Sequence, residues 1–379
     1  MLKAATLCLL AVQAVSAAPA AADCPSWFNE IGQKWQAQTP DIPGLQMSVS
    51  SPECNLHCKG SWNSPAENYT ASPPLLVNSP YRVASVTKPF TSITVLKLVE
   101  DGFVDINASV INYLPDWAVN TLVKQQGAEN ASQITPWMLL HHTSGLDDHV
   151  SDPRYTQMFI EDPTLHLTHQ GLLEWGADRL VPLWAPGAGW SYSDLGFAYL
   201  GALITHMTNM TVAAAVRKAT HMDDLCMRST YWDIFEEHPD GLPPRAGQYF
   251  GEFDVTNISG TVGLYGGAGL VSISEDLVKF ARAAHQGLLL GEEAMEMMYT
   301  RVPTTDPGYG LEYGCGWMWE KRAGLDAWFH NGAFGSWMYY LPEKDLAITG
   351  THNQNSRIPM IADIVEEVAQ AVLDNAKCV

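Results

Sequence analysis

The chain has 379 residues, 46% of them hydrophobic, with 41 Asp and Glu against 21 Lys and Arg and a formal net charge of −20. So negative a surface repels nucleic acid and anionic membranes, which excludes both as partners, and no stretch is apolar for long enough to span a bilayer. The apolar content can fill a substantial core, and no repeat or low-complexity linker divides the chain, so one compact unit with sub-regions is expected.

Lys3 is followed by an apolar run over residues 4–15, and Val15-Ser16-Ala17 is a small-residue cleavage site. Residues 1–17 therefore read as a signal peptide, and the mature protein is expected to be secreted. Six cysteines remain beyond it: Cys24, Cys54, Cys58, Cys226, Cys315 and Cys378. An even number in an exported chain points to disulfides, and the short Cys54–Cys58 loop is the expected local pair. Asn68, Asn107, Asn130, Asn209 and Asn257 each begin an Asn-x-Ser/Thr sequon, which predicts glycosylation on surface loops.

Residues 27–38 read as a helix, and residues 44–51 and 57–63 as two strands joined by the cysteine loop. A Pro/Ser-rich loop, residues 64–80, leads to Tyr81-Arg-Val-Ala-Ser85-Val-Thr-Lys88-Pro-Phe90. Ser85 and Lys88 stand three apart, so a helix beginning near Ser85 stacks the amine beside the hydroxyl. Pro89 fits only a first turn, and Gly102 supplies a stop. Serine is a weak nucleophile until a neighbour takes its proton, and a desolvated lysine can do so. The plain alternative is a capping serine followed by a surface lysine.

Residues 134–142 look helical and stop at Thr143-Ser144-Gly145; His141 and His142 diverge by about 100° on such a helix and read as a buried polar pair, not as metal ligands. From there to about residue 250 the pattern is helical with long loops, including 163–181 and 211–219. Pro186-Gly-Ala-Gly-Trp-Ser-Tyr192-Ser193-Asp194 delivers Tyr192 at a loop-to-helix junction, where a nearby ammonium makes its phenolate accessible and lets it relay a proton. The competing account is a core aromatic with Ser193 or Asp194 capping the helix. A glycine-rich turn and strand, residues 263–272, precedes a well-capped helix at Ser274. Residues 337–341 and 346–351 flank a turn and form a hairpin, and residues 358–374 close the chain as an amphipathic helix. Phe329-His330-Asn331-Gly332-Ala333 lies at the edge of that strand pair, where Gly332 lets a ligand approach the backbone.

Taken in order, Ser85-x-x-Lys88, Tyr192-x-Asp194 and His330-x-Gly332 resemble the serine hydrolase superfamily of class C β-lactamases, DD-peptidases, D-aminopeptidases and related esterases and transesterases. Leu139-Leu-His-His-Thr-Ser-Gly-Leu146, Gly267-Ala-Gly-Leu270 with Asp276, and Tyr309-Gly310-Leu311 resemble its framework. The expected fold is α+β: an antiparallel sheet flanked by N- and C-terminal helices, with an inserted all-α lobe. One catalytic unit is expected over residues 24–379, its α/β part at about 24–84 and 260–379 and its helical lobe at about 85–259.

The resemblance implies Ser85 as acylated nucleophile, Lys88 and Tyr192 as proton-transfer pair, and the Ser85 and Ala333 N–H groups as oxyanion hole. Substrate contacts are expected from Asp194, His330, Asn331 and Gly332, and Arg357, beyond Asn353 and Asn355, is the candidate for an anion contact. Two positions depart from the family pattern. Asp194 stands where Asn is usual and offers only acceptors when ionised, which suits a donor-bearing or cationic substrate group; His330 stands where β-lactamases place lysine. Both favour an esterase or a D-amino-acid or peptide amidase over a β-lactamase. The expected substrate is a small ester, amide or peptide, with no cofactor and no metal. The alternatives are a transesterase using the same acyl-enzyme and a non-catalytic binding protein. No His-Glu-x-x-His and no Gly-x-Ser-x-Gly elbow occurs in the chain.

Overall fold

The structure is a computed structural model and describes residues 24–64, 74–251, 253–306, 311–355 and 358–375. The signal-peptide reading, Asn68, Tyr309, Gly310, Arg357 and Cys378 lie outside the described residues. Helix α1 (Ser26–Gln38) leads into β1 (Gly44–Ser51) and β2 (Leu56–Asn63), then β3 (Tyr81–Arg82). Helices α2 (Lys88–Glu100), α3 (Asp116–Gln133), α4 (Pro136–Leu140), α5 (Pro153–Glu161), α6 (His169–Arg179), α7 (Asp194–Thr208) and α8 (Val212–Ala219) follow. Short strands β4 (Tyr231–Trp232), β5 (Tyr249–Phe250), β6 (Phe253–Asp254) and β7 (Leu270–Ser272) precede α9 (Ser274–His285) and α10 (Glu292–Tyr299). The chain ends through β8 (Val302–Pro303), β9 (Glu312–Tyr313), β10 (Met318–Arg322), β11 (Leu325–Gly332), β12 (Ser336–Leu341), β13 (Leu346–Thr351) and α11 (Ile358–Asn375).

Among the described residues the main sheet has eight antiparallel strands in the order β2-β1-β13-β12-β11-β10-β9-β8. Its two N-terminal strands are thus joined to the C-terminal set by β1 against β13, Val49 opposite Ile348. That pairing draws the ends of the chain together and leaves the intervening helices as a lobe of their own, as the expected α+β fold requires.

Strand β12 explains why its sequence shows no polar alternation. Trp337, Tyr339 and Leu341 enter one core with Ile361, Ile364, Val365 and Val368 of α11 and Phe28 and Ile31 of α1. Met338 and Tyr340 enter the other, with Phe280 of α9 and Phe90 of α2. Successive side chains of a strand point to opposite faces, and here both faces are covered.

Helix α2 is buried on nearly every side, from Lys88 through Leu96 and again at Leu98. A helix with no wet face belongs at the centre of its lobe. It ends where Gly102 takes a φ of 75°, a conformation open to glycine without a steric penalty.

Several expectations change in detail. Cys58 pairs with Cys24, their Cα atoms 5.6 Å apart, so it cannot pair with Cys54. Cys54 sits in the turn after β1 and Cys58 on β2 opposite Val49; both reach the core that also holds Cys24, and it is the strand cysteine that meets Cys24. Cys315 is free and buried, so the cysteines do not all form disulfides. The segments 163–181 and 211–219 contain α6 and α8, each started by a threonine hydroxyl, Thr168 or Thr211, accepting the backbone N–H three residues on. Ser274 does not cap α9; its hydroxyl donates to Gln46 Oε1 at 2.7 Å and meets the Tyr81 hydroxyl at 3.0 Å, tying α9 to β1 and β3. Of the described sequon asparagines, Asn107, Asn209 and Asn257 are exposed and Asn130 is half-buried.

Candidate active site

Ser85 lies in a single 3₁₀ turn, Ala84–Thr87, immediately before α2. Residues three apart eclipse one another in such a turn, and Lys88 Nζ accordingly lies 3.2 Å from Ser85 Oγ. Three anchors fix the turn. Ser336 Oγ of β12 donates to the Val83 carbonyl at 2.7 Å, the Val83 N–H reaches the Leu270 carbonyl at 3.0 Å, and the Leu270 N–H reaches Thr87 Oγ1 at 3.2 Å. Ala84, directly before the serine, has a φ of 47°. Left-handed backbone is unfavourable for a residue with a Cβ, and such strain persists only where surrounding contacts over-determine it.

Lys88 is fully buried. Its ammonium donates to Asp194 Oδ1 and to the Gly267 carbonyl at 3.0 Å, and it lies 4.7 Å from the Tyr192 ring centre and 5.3 Å from that of Phe197. Burial pulls the Lys88 pKa below its ordinary value, with Asp194 and Asp148 pulling the other way. Burial works to raise the Asp194 carboxyl, but the adjacent Lys88, together with His149 and His330, outweighs it and holds Asp194 low. The site thus contains an ionised carboxylate clasping an amine that desolvation makes easier to deprotonate. Gly267 has to be glycine here, because a Cβ at that position would come within 2.6 Å of Asp194 Oδ1.

Ser193 and Asp194 divide the work of the α7 terminus. Ser193 Oγ accepts the Gly196 N–H at 3.1 Å and is the cap, which leaves the carboxylate of Asp194 for Lys88. The alternative of Asp194 as a mere cap therefore fails, and its Oδ1 is not free to receive a cationic substrate group.

The third motif is partly redistributed. His330 is fully buried; its Nδ1–H donates to the Asn331 carbonyl at 2.7 Å and its Nε2 accepts from the Tyr313 hydroxyl at 3.1 Å. Burial, reinforced by Lys88, pushes its pKa down to about 3, so it is a neutral ring beneath Tyr192, with ring centres 6.1 Å apart. Both of its nitrogens are occupied, which removes it from direct substrate contact. Asn331 is on the opposite face of β11, toward Tyr339, and away from Ser85. A Cβ on Gly332 would come within 2.3 Å of the Val83 carbonyl; what approaches this glycine is the backbone beside the nucleophile, not a ligand. Ala333, next in the chain, lines the same cavity as Ser85.

Asp148 and His149, which no motif singled out, and His142, which lies in the framework motif, complete the cluster. Asp148 Oδ1 accepts the Asp194 N–H at 3.0 Å, and Asp148 Oδ2 accepts the Ser151 hydroxyl at 2.7 Å. Burial and the nearby Asp194 carboxylate raise the Asp148 pKa to about 7. His149, wholly enclosed, is pushed by burial down to about 4. His142 takes a φ of 59°; its Nδ1 accepts the Ser193 N–H at 3.1 Å, its carbonyl accepts the Ser191 N–H at 3.0 Å, and its ring lies 4.4 Å from that of Tyr192. It holds the Tyr192 loop against Lys88. A run of titratable residues, Asp147-Asp148-His149, in the turn after an apolar helix was the available signal for this group.

Ser85, Asp194 and Ala333 open onto a cavity of about 500 Å³ whose remaining walls come mainly from α5, the β5–β6 hairpin, the segment 255–263 that follows it and the turn after β11. Among the described residues no group of His, Cys, Asp and Glu is arranged to hold a metal ion, and no helix is long and apolar enough to cross a membrane.

Residues 36–372 match the family described as Beta-lactamase. Monacolin J acid methylbutanoyltransferase of Aspergillus terreus is 28% identical over 324 residues, covering 76% of this chain and 73% of that protein. Penicillin-binding protein 4* of Bacillus subtilis is 24% identical over 66% of this chain, and the aligned region spans only 55% of that relative. Among solved structures, a D-stereospecific amidohydrolase from Streptomyces sp. superposes with a TM-score of 0.74 at 25% identity, covering 90% of this chain and 97% of that one. The D-amino acid amidase of Ochrobactrum anthropi, at 22% identity and a TM-score of 0.77, shares the fold over 92% of this chain. With the serine opening onto a cavity, the buried lysine beside it and the tyrosine ring packed over that lysine, and a match running nearly end to end, this chain belongs to the beta-lactamase family.

Proposed function

We propose that this protein is a serine hydrolase that cleaves an ester or amide through an acyl-Ser85 intermediate. The observation that carries the reading is the fully buried Lys88 ammonium 3.2 Å from Ser85 Oγ, beside a cavity onto which Ser85 opens. In the first step Ser85 Oγ bonds to the substrate carbonyl carbon while its proton passes to the Lys88–Tyr192 pair, one member of which, the amine or the phenol, has already given up its own proton. The Ser85 and Ala333 N–H groups polarise the carbonyl oxygen. Collapse of the tetrahedral adduct breaks the bond to the leaving alcohol or amine, which receives that proton from the same pair. Water then attacks the acyl-serine, gives up a proton by the same route, and releases the acid with Ser85 restored.

An alcohol or amine in place of water completes an acyl transfer with the same groups. The methylbutanoyltransferase relative supports that second reading, and the amidohydrolase and amidase neighbours support the first. The leader at residues 1–17 and the exposed sequons support a secreted glycoprotein, and tryptic mapping of the mature protein with and without glycosidase tests that assignment.

Turnover of p-nitrophenyl esters, D-amino-acid amides and nitrocefin by the purified protein tests the reaction class. Ester or amide turnover is expected to exceed that of nitrocefin, and Ser85→Ala is expected to abolish it. A Ser85→Ala variant as active as the parent overturns the assignment.

A further inference from the structure

The cavity beside Ser85 is walled mostly by carbon. Phe159 and Ile160 of α5, Phe250 and Phe253 of the β5–β6 hairpin, Ile258 and Phe334 all line it, with the Phe250 and Phe334 rings packed edge to face at 5.4 Å. Two of these side chains continue the apolar surface outward, since Ile160 is 57% and Phe253 75% exposed at the mouth. Large apolar groups left in water beside a nucleophile are what a site needs to hold an apolar ligand reaching out of it. A volume of about 500 Å³ suits a small-molecule ligand.

Charge on the walls points the same way. The charged residues lining the cavity are both acidic, Asp194 and Asp254, and no described Lys or Arg lines it. Nearby cations are already engaged. Lys88 is held by Asp194, while Arg82 and Arg245 both bind Asp233, Arg82 also donating to the Ile258 carbonyl at 2.6 Å. A substrate carboxylate entering here would lose its water, find no cationic partner among the described residues, and face Asp254, a carboxylate of its own sign. An amine gains little from Asp194, which Lys88 already neutralises.

We propose that this cavity binds the uncharged, apolar acyl group of an ester or amide substrate, and that the site discriminates against acyl groups carrying a carboxylate. The proposal rests on the acyl-Ser85 reading and goes beyond it by naming the class of substrate. Each methylene buried from water is worth roughly a fourfold gain in binding, so acyl chain length and terminal charge separate the possibilities.

The experiment measures kcat/KM for p-nitrophenyl acetate, p-nitrophenyl hexanoate, mono-p-nitrophenyl adipate and p-nitrophenyl 6-aminohexanoate, with the parent and with Phe253→Ser. Phe253 is largely exposed, so this change leaves the core packing alone. Hexanoate is expected to exceed acetate by about tenfold or more, and adipate and 6-aminohexanoate to fall about tenfold below hexanoate. In Phe253→Ser the hexanoate-to-acetate ratio is expected to drop by at least about threefold. Hexanoate no better than acetate, or adipate or 6-aminohexanoate equal to hexanoate, overturns the proposal while leaving acyl-serine chemistry standing. A hexanoate preference that survives Phe253→Ser puts the apolar group elsewhere and also overturns it. No turnover of any of the four esters removes the acyl-serine reading, and this proposal with it.

Discussion

On one face of the main sheet, Ile361, Ile364, Val365 and Val368 of α11 close over Trp337, Tyr339 and Ile348. Toward the helical lobe, the chain buries Lys88, Asp194, Asp148, His149, His142 and His330 around the turn that carries Ser85. The first region gains stability in proportion to the apolar area it removes from water. In the second, each buried charge costs free energy unless a partner lies within hydrogen-bond reach. Local strain is tolerated there as well, at Ala84 and His142, because well-packed elements on every side hold the backbone in place. Stability and chemistry are therefore carried by different parts of one fold, and substitutions should separate them.

The largest effect is expected from Lys88→Met. A near-isosteric apolar side chain removes the amine while filling its volume, and Asp194 is then left to take up a proton. Ester turnover should fall about a thousandfold with the fold retained, as judged by circular dichroism and kcat/KM. A variant within a few-fold of the parent would break the assignment of chemistry to this region. On the other side, Ile364→Ala should cost about 2–4 kcal/mol in urea unfolding, yet leave turnover per folded molecule as it was. Ile364 lies in the α11 core, and a large change in kcat there would mean that the two regions are coupled.

Asp148→Asn sharpens the comparison through pH. A carboxyl whose pKa is raised on folding binds its proton more tightly in the folded chain. Its contribution is complete below the unfolded value of 3.8 and is lost as pH rises through about 7. Stability of the parent relative to Asp148→Asn should therefore decline between pH 5 and pH 8, by about 2 kcal/mol. A difference that stays constant across that range would remove Asp148 from the titrating cluster.

The smallest effect is expected at Asp194→Asn. The amide oxygen can still accept from Lys88, but the charge that raises the Lys88 pKa is gone. The acid limb of kcat/KM should move to lower pH by about one unit. An unmoved limb would mean that Lys88 does not supply it.

Much of this arrangement was legible in the sequence, and the rest was hidden for definable reasons. Ser85 with Lys88 could be read because a three-residue spacing has one geometric meaning in a helical turn. The β12–β13 hairpin could be read because its turn residues are flanked by apolar runs. What Asp194 binds could not be read, because its partner Lys88 is 106 residues away in the chain. His330 and Gly332 were legible as a motif but not in their contacts, since those depend on Tyr313 and Val83 meeting them across strands and layers. The Cys24–Cys58 bridge was missed because the nearer cysteine, Cys54, competes for it in sequence but lies in the turn rather than on the strand. Asp148 and His149 belong to no motif that sequence could single out, because burial is a property of the assembled lobe.

One measurement bears most directly on the central claim. The intact protein is treated with a fluorophosphonate, digested, and its peptides mapped by mass spectrometry. A single adduct on the oxygen of Ser85, lost in Lys88→Met as well as in Ser85→Ala, is the predicted result. An unlabelled Ser85, or equal labelling of Ser85 without the lysine, would contradict it.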